Sequence, residues 1–226
     1  MPITTPSGSC PAASCLTSGA FVELAKTKLR VTPPDSALAM AGHTPSDFDL
    51  NPGYEANFVM PPVYRLAAVL VAIVARAQPQ VLFTQRTATL SKHAGQIAFP
   101  GGIADTGDTG PLMTALRETQ EEVGLTPSLI KPLGYLDCYR TGTGYVITPV
   151  VGLVEPGFLL TLNAREVECA FEVPLAFLLD PANHQIDRRT MQGIERQFYA
   201  IPHHGRYIWG ATAGIIRNMY ERLLHP

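Results

Sequence analysis

The chain has 226 residues, with 17 Lys and Arg against 19 Asp and Glu for a formal net charge of −2, and it is 46% hydrophobic and 16% charged. This composition describes a globular chain, one domain or one domain with an extension, and excludes a disordered polymer. The absence of a long basic run argues against a nucleic-acid partner, and the apolar stretch 66–75 is far shorter than the roughly 20 residues that span a bilayer, so no membrane partner is expected.

Residues 1–17 are rich in Ser, Thr, Pro and Ala and are expected to be disordered. They lack a charged start followed by an apolar core, so no secretory signal is expected. Cys10, Cys15, Cys138 and Cys169 do not have metal-finger spacing, and a reducing cytoplasm is the expected compartment. Mild helical periodicity runs over 20–30. Residues 31–62 are heavy in Pro, Gly, Asp and Asn and predict a meandering loop with at most short helical turns. The chain therefore divides into an N-terminal extension, 1–61, partly disordered or loop-rich, and a main domain, 62–226. There is no internal repeat.

The core is expected to begin near Val63. The valine-rich run 64–75 predicts a strand buried on both faces, and 81–85 its neighbour across a turn at Gln78-Pro79. A short strand over 96–99 ends at Pro100. Pro111–Val123 is the clearest helix, with Pro111 suited to a first helical position and Gly124 to a C-terminal stop. Leu112, Leu116, Thr119 and Val123 form its expected core stripe, one polar residue included, with the glutamates facing elsewhere. Strands are predicted over 133–139 and 145–154, around a Gly-Thr-Gly turn, and over 167–173. A short helical piece over 175–179, a hairpin from 197–201 and 207–209, and an amphipathic helix over 211–224 complete the chain. His203-His204 has no third ligand nearby and reads as a turn. Trp209, beside apolar residues, reads as core in preference to a stacking platform for a base.

The chemistry concentrates around the 111–123 helix. Glu118, Glu121 and Glu122 lie within five positions, three and four apart, and project to one side of a helix. Such a cluster repels itself in water. A hard divalent cation relieves that repulsion, because Mg²⁺ and Mn²⁺ prefer oxygen ligands and are commonly held jointly by carboxylates and substrate phosphates. The upstream pair Gly101-Gly102 would let the backbone approach the same ion.

These residues carry a resemblance. FPGG (99–102) followed by RETQEEVGL (117–125) resembles the Nudix box of the Nudix hydrolases. The chain departs from that box in the spacing from Gly102 to Arg117, one residue too long, in the absent upstream Glu, with Asp105 and Asp108 nearby instead, and in Thr119, where an apolar residue is usual. The run LFTQRTATLSKHAGQIAFPGG (82–102) is similar to the second signature of the coenzyme A pyrophosphatase branch, with Leu82, Thr84, Arg86, Gly95 and Phe99 to Gly102 in register. Ser91 stands where that signature has Arg, and Lys92 follows it.

The resemblance implies an α/β fold, the Nudix-type α/β/α sandwich with a mixed sheet. It also implies a divalent-metal-dependent hydrolase, with Mg²⁺ or Mn²⁺ as cofactor, that splits the diphosphate of coenzyme A or its thioesters into 3′,5′-ADP and a 4′-phosphopantetheine product. Glu118 and Glu122 are the implied metal ligands. Glu121 is assigned to a further metal or to water activation, and Glu166, in better register than Glu168, to ligation or general-base work. Arg86, Lys92 and His93 are candidates for phosphate contacts. Gly101 and Gly102 shape the site or merely turn the loop, Arg117 orients a carboxylate or forms an ordinary surface ion pair, and Asp105 and Asp108 cap the loop or reach a metal through water, with the first reading preferred in each case. Two other readings are a broader Nudix pyrophosphatase acting on ADP-ribose, NADH or nucleoside triphosphates, and a catalytically silent Nudix-fold binding module. The oligomeric state, a homodimer included, stays open.

Overall fold

The computed structural model describes residues 16–41, 44–52, 63–89, 93–191 and 193–225. The disorder expected over 1–17 falls almost entirely outside them, as do Cys10, Cys15, Ser91 and Lys92.

Eight strands form one mixed sheet: β1 (Arg65–Val74), β2 (Gln80–Arg86), β3 (Ile97–Ala98), β4 (Gly101–Ile103), β5 (Ile130–Tyr135), β6 (Tyr139–Arg140), β7 (Tyr145–Val154) and β8 (Val167–Pro174). Its spine runs β3-β2-β1-β7-β5, with β4 also on β1, β6 on β7 and β8 on β2. β1 and β7 pair in parallel from Arg65 opposite Tyr145 to Val74 opposite Val154. The other edge of β1 is shared. Its first half pairs with β4 and its end with β2, both antiparallel. This division brings the Gly101-Gly102 backbone beside the middle of the central strand. A second sheet holds β9 (Gln185–Met191), β10 (Ile194–His203) and β11 (Arg206–Trp209), with β10 in the middle.

The sheet is covered on both faces, which is why β1 reads as continuous apolar sequence. Val69, Val71 and Ile73 point to one core, and Ala68, Leu70, Ala72 and Val74 to the other. The first core is closed by α1 (Ser18–Lys28), α4 (Leu175–Leu178) and α5 (Ala211–Leu224), the second by α3 (Pro111–Val123). Layers of helix, mixed sheet and helix make the expected α/β/α sandwich. Small residues at 68, 72 and 115 let α3 lie close to the sheet. A short helix, α2 (Ser36–Ala41), sits in the N-terminal segment near β6 and β7. Among the described residues no helix is long and apolar enough to cross a membrane.

The N-terminal segment is bound to this core. Thr17 caps α1 by accepting from the Ala20 N–H at 3.2 Å. Phe21 and Ala25 are fully buried. Asp137 then links the chain leaving α1 to α5, taking Arg30 Nε and Arg222 Nη1 at 2.8 Å each.

α3 has the predicted bounds, with Pro111 in its first turn and Gly124 at φ 70° donating its N–H to Gln120 O. Its buried stripe differs from expectation. Ala115, Thr119, Glu122 and Val123 are buried, whereas Leu112 and Leu116 are only partly so. Thr119 fits an apolar environment because its hydroxyl donates to Ala115 O at 2.6 Å.

Other boundaries moved too. The strand expected over 133–139 is split into β5 and β6, with a register shift between Pro132 and Gly134. β4 and β9 were not expected, and β10 begins at Ile194, before the predicted hairpin. The turn at His203-His204 is as read, with His204 at φ 46° between β10 and β11. Trp209 is a correction. It is half-exposed at the end of β11 and lines a cavity instead of joining the core.

Candidate active site

The site forms where α3, β4, the end of β2 and the loop before β8 meet. The Gly101 N–H donates to Glu122 Oε2 at 3.2 Å. A methyl group at position 102 would overlap the Glu118 carboxylate, so the glycine is needed for the strand to pass that close. Gly101 has φ 151°, and a side chain there would strike the backbone of β1.

Arg86, the last residue of β2, brings Nη1 to 3.8 Å from Glu122 Oε1. Its Nε is buried without a hydrogen-bond partner among the described residues. Glu166 reaches the same place from the loop before β8. Its carbonyl accepts from the Thr87 N–H at 2.9 Å, which fixes the loop to the chain leaving β2. The end of α3 is tied to this loop as well, because Glu122 O and Val123 O accept from the Asn163 and Thr161 N–H groups.

The three glutamates of the helix are not equivalent. Glu122 is 4% exposed, which corrects the expectation that every glutamate faces away from the core. Burial pushes its carboxyl up to about 7, against the pull of the Gly101 N–H and of Arg86, and the negative charges of Glu118 and Glu166 push the same way. Glu118 is partly buried and is also raised by burial, opposed by Arg117 and reinforced by Glu121 and Glu166. Glu121 is exposed at the outer rim, 3.3 Å from Arg117.

Arg117 ties these groups together. It donates from Nη1 to Glu118 at 2.8 Å, from Nε and Nη2 to both oxygens of Asp108 at 3.1 and 2.9 Å, and from Nη2 to Ile103 O. Asp108 also accepts from the Asp105 N–H and the Thr114 hydroxyl, so it caps the loop as expected and anchors Arg117 as well. This guanidinium holds the Asp108 carboxyl well below the usual carboxylate range. Glu168 is exposed, unlike the half-buried Glu166.

His93 hydrogen-bonds Gln96 through Nδ1 at 2.9 Å and lines the same cavity as Arg86. Lys92 lies outside the described residues. Among the described residues no three or more His, Cys, Asp or Glu side chains already form a closed metal-binding group. Reading the sequence missed Asp108 as the anchor of Arg117, although its position nine residues before the arginine was visible. It also missed the cavity beside Arg86, for which no local motif exists.

The stretch that holds the mixed sheet and the glutamate helix docked on the glycine strand, residues 64–191, matches the NUDIX domain model. The chain belongs to the Nudix hydrolase family. It is 42% identical over 156 residues to an uncharacterized Nudix hydrolase, NudL, of Escherichia coli O7:K1, covering 69% of this chain and 81% of that protein. A second NudL, from Photorhabdus laumondii, is 40% identical over 159 residues, covering 70% and 85% of the two chains. The MutT/nudix family protein from Enterococcus faecalis matches 92% of this chain and 75% of its own, at 15% identity and a TM-score of 0.45.

Proposed function

We propose that the chain hydrolyses the diphosphate linkage of coenzyme A or its thioesters, giving 3′,5′-ADP and a 4′-phosphopantetheine product. The observation that carries this reading is Arg86. It sits in register with the coenzyme A signature, 3.8 Å from the most buried glutamate, with a donor left over.

The residues fit a hard divalent cation, Mg²⁺ or Mn²⁺. Glu118 and Glu122 are both desolvated, the charge of Glu118 raises the proton affinity of Glu122, and both offer only oxygen. Such an ion needs only one or two carboxylates when substrate phosphates and water complete its shell. Glu118 and Glu122 would hold it, with Glu166 alongside. When bound, the ion supplies charge neutralisation for the diphosphate and acidifies an attached water.

The chain's own groups do the rest. Arg86 would meet a phosphate oxygen with its fork. Arg117 would keep Glu118 aimed, and the Gly101 N–H would do the same for Glu122. Glu166 is the carboxylate we assign to accept the proton of the attacking water. Glu121, at the exposed rim, adds negative charge beside Glu118.

The test uses purified protein with coenzyme A and Mg²⁺ or Mn²⁺, chromatography for 3′,5′-ADP, and a chelator control. Dephospho-coenzyme A is run beside it. Equal turnover without the 3′-phosphate removes the coenzyme A assignment in favour of a broader pyrophosphatase.

A further inference from the structure

Beside the glutamate site lies a cavity of about 310 Å³. Part of its wall comes from outside the matched stretch 64–191. Asp47 and Phe48 are supplied by the N-terminal segment, and Phe198 and Trp209 by β10 and β11. Arg86 borders it and reaches from it toward Glu122, and His93 lines it as well. A substrate whose diphosphate rests on Arg86 has this cavity within reach of one of its two arms.

The walls indicate which arm. Phe198 and Trp209 stand with ring centroids 5.2 Å apart, tilted at 56°, and the Arg189 guanidinium, exposed and outside the cavity lining, lies over the Trp209 ring 4.8 Å from its centre. Aromatic rings favour a flat base, because every base has a π face to stack. The cavity also holds an acceptor, the Asp47 carboxylate, fixed by the Tyr139 hydroxyl at 3.0 Å and the Gly142 N–H at 2.8 Å. The Arg196 charge acts on the same carboxylate from the cavity wall, and the amino group of a base would share its lone pairs. A pantetheine arm, a flexible chain of amides and methylenes, gains no stacking from such walls.

We propose that this cavity binds the adenine of the substrate against Trp209, with Arg189 meeting a phosphate on the same nucleoside. The phosphate part rests on the coenzyme A reading; the base part does not.

Trp209 is the single tryptophan of the chain, so its emission reports from the cavity wall. Full-length protein in chelator is titrated with 3′,5′-ADP, 5′-AMP or 4′-phosphopantetheine, by fluorescence and by calorimetry. Saturable binding with an emission change is expected for 3′,5′-ADP. The same change at roughly tenfold weaker affinity is expected for 5′-AMP, and none for 4′-phosphopantetheine. Trp209→Ala should weaken 3′,5′-ADP binding by roughly tenfold or more in calorimetry, and Trp209→Phe should restore most of it. Arg189→Ala should erase the preference for the bisphosphate. Thermal melts check that each variant is folded.

An emission change with phosphopantetheine alone overturns the proposal. So does nucleotide binding that leaves Trp209 emission unchanged and is indifferent to Trp209→Ala, and so does the absence of nucleotide binding. Nucleotide binding at Trp209 in a protein that leaves coenzyme A intact would remove the proposed substrate and keep the base site. Hydrolysis without such binding would remove the base site alone.

Discussion

Glu122 is the buried glutamate of the site, and its proton affinity has a consequence for stability. Its folded pKa, about 7, lies above the ordinary value of 4.5. Between those two values the folded chain keeps a proton that the unfolded chain has released. Folding stability contributed by this group is therefore full below pH 4.5 and is lost as pH rises toward 7. In chelator, the melting temperature should fall from pH 5 to pH 8, and Glu122→Gln should flatten that fall. A wild-type profile unchanged by the substitution would contradict the assignment. Adding Mg²⁺ or Mn²⁺ should help most above pH 7, where the carboxylate is free to bind it. The same variant should lose on the order of 100-fold in kcat while remaining folded. Arg117 gives a second test at this scale. Its planar fork spans Glu118 and Asp108 at once, which an ammonium cannot do. Arg117→Lys should therefore cost roughly 10- to 100-fold in turnover. Full activity in that variant would reduce the arginine to an ordinary ion pair.

β4 shows how far an element can depart from its own propensity. Two of its three residues are glycine, a poor strand former, and nothing local predicts it. It is extended because Ala67, Ala68 and Val69 of β1 pair with it. β9 was missed for a related reason. Its exposed, charged run carries no apolar alternation, and its partner β10 supplies the register from Gln185 opposite Ala200 to Met191 opposite Ile194. β1, β7, α3 and α5 were readable to within a residue or so because long periodic runs and a proline–glycine bracket reported them directly. The glutamate arrangement was readable because one helix carries most of it. The cavity was not, because residues 47, 198 and 209 meet only through tertiary packing. Gly102→Ala tests the contact between β4 and α3. The added methyl must displace the Glu118 carboxylate, and displacement by about 1 Å is enough to cost on the order of 100-fold in rate. Secondary structure by circular dichroism should be unchanged. Wild-type kinetics would mean that Glu118 need not sit against the strand.

At the scale of the whole molecule, the question is what residues 16–52 contribute to a domain whose family match begins only at residue 64. Three attachments tie them on. Phe21 and Ala25 of α1 enter the core that α5 closes. Arg30 bridges to Tyr135 through two backbone bonds of 3.0 and 2.9 Å. The Asp47 side chain reaches Tyr139 and Gly142. A detachable tail would have none of these. Phe21 is fully buried, so truncating it leaves a cavity as well as losing transfer energy, together about 3–5 kcal/mol. That is a sizeable part of the roughly 5–15 kcal/mol that keeps an ordinary domain folded. For a chain of this size it corresponds to a fall in melting temperature of about 10 °C. Phe21→Ala should show that loss in chemical denaturation as a lower midpoint with one cooperative transition. If the segment instead folds apart from the sheet, the main transition will stay where it is and only a minor early phase will move. Because the same segment carries Asp47 and Phe48 to the cavity wall, the variant should also weaken binding at Trp209 before it alters the ion requirement of the glutamates.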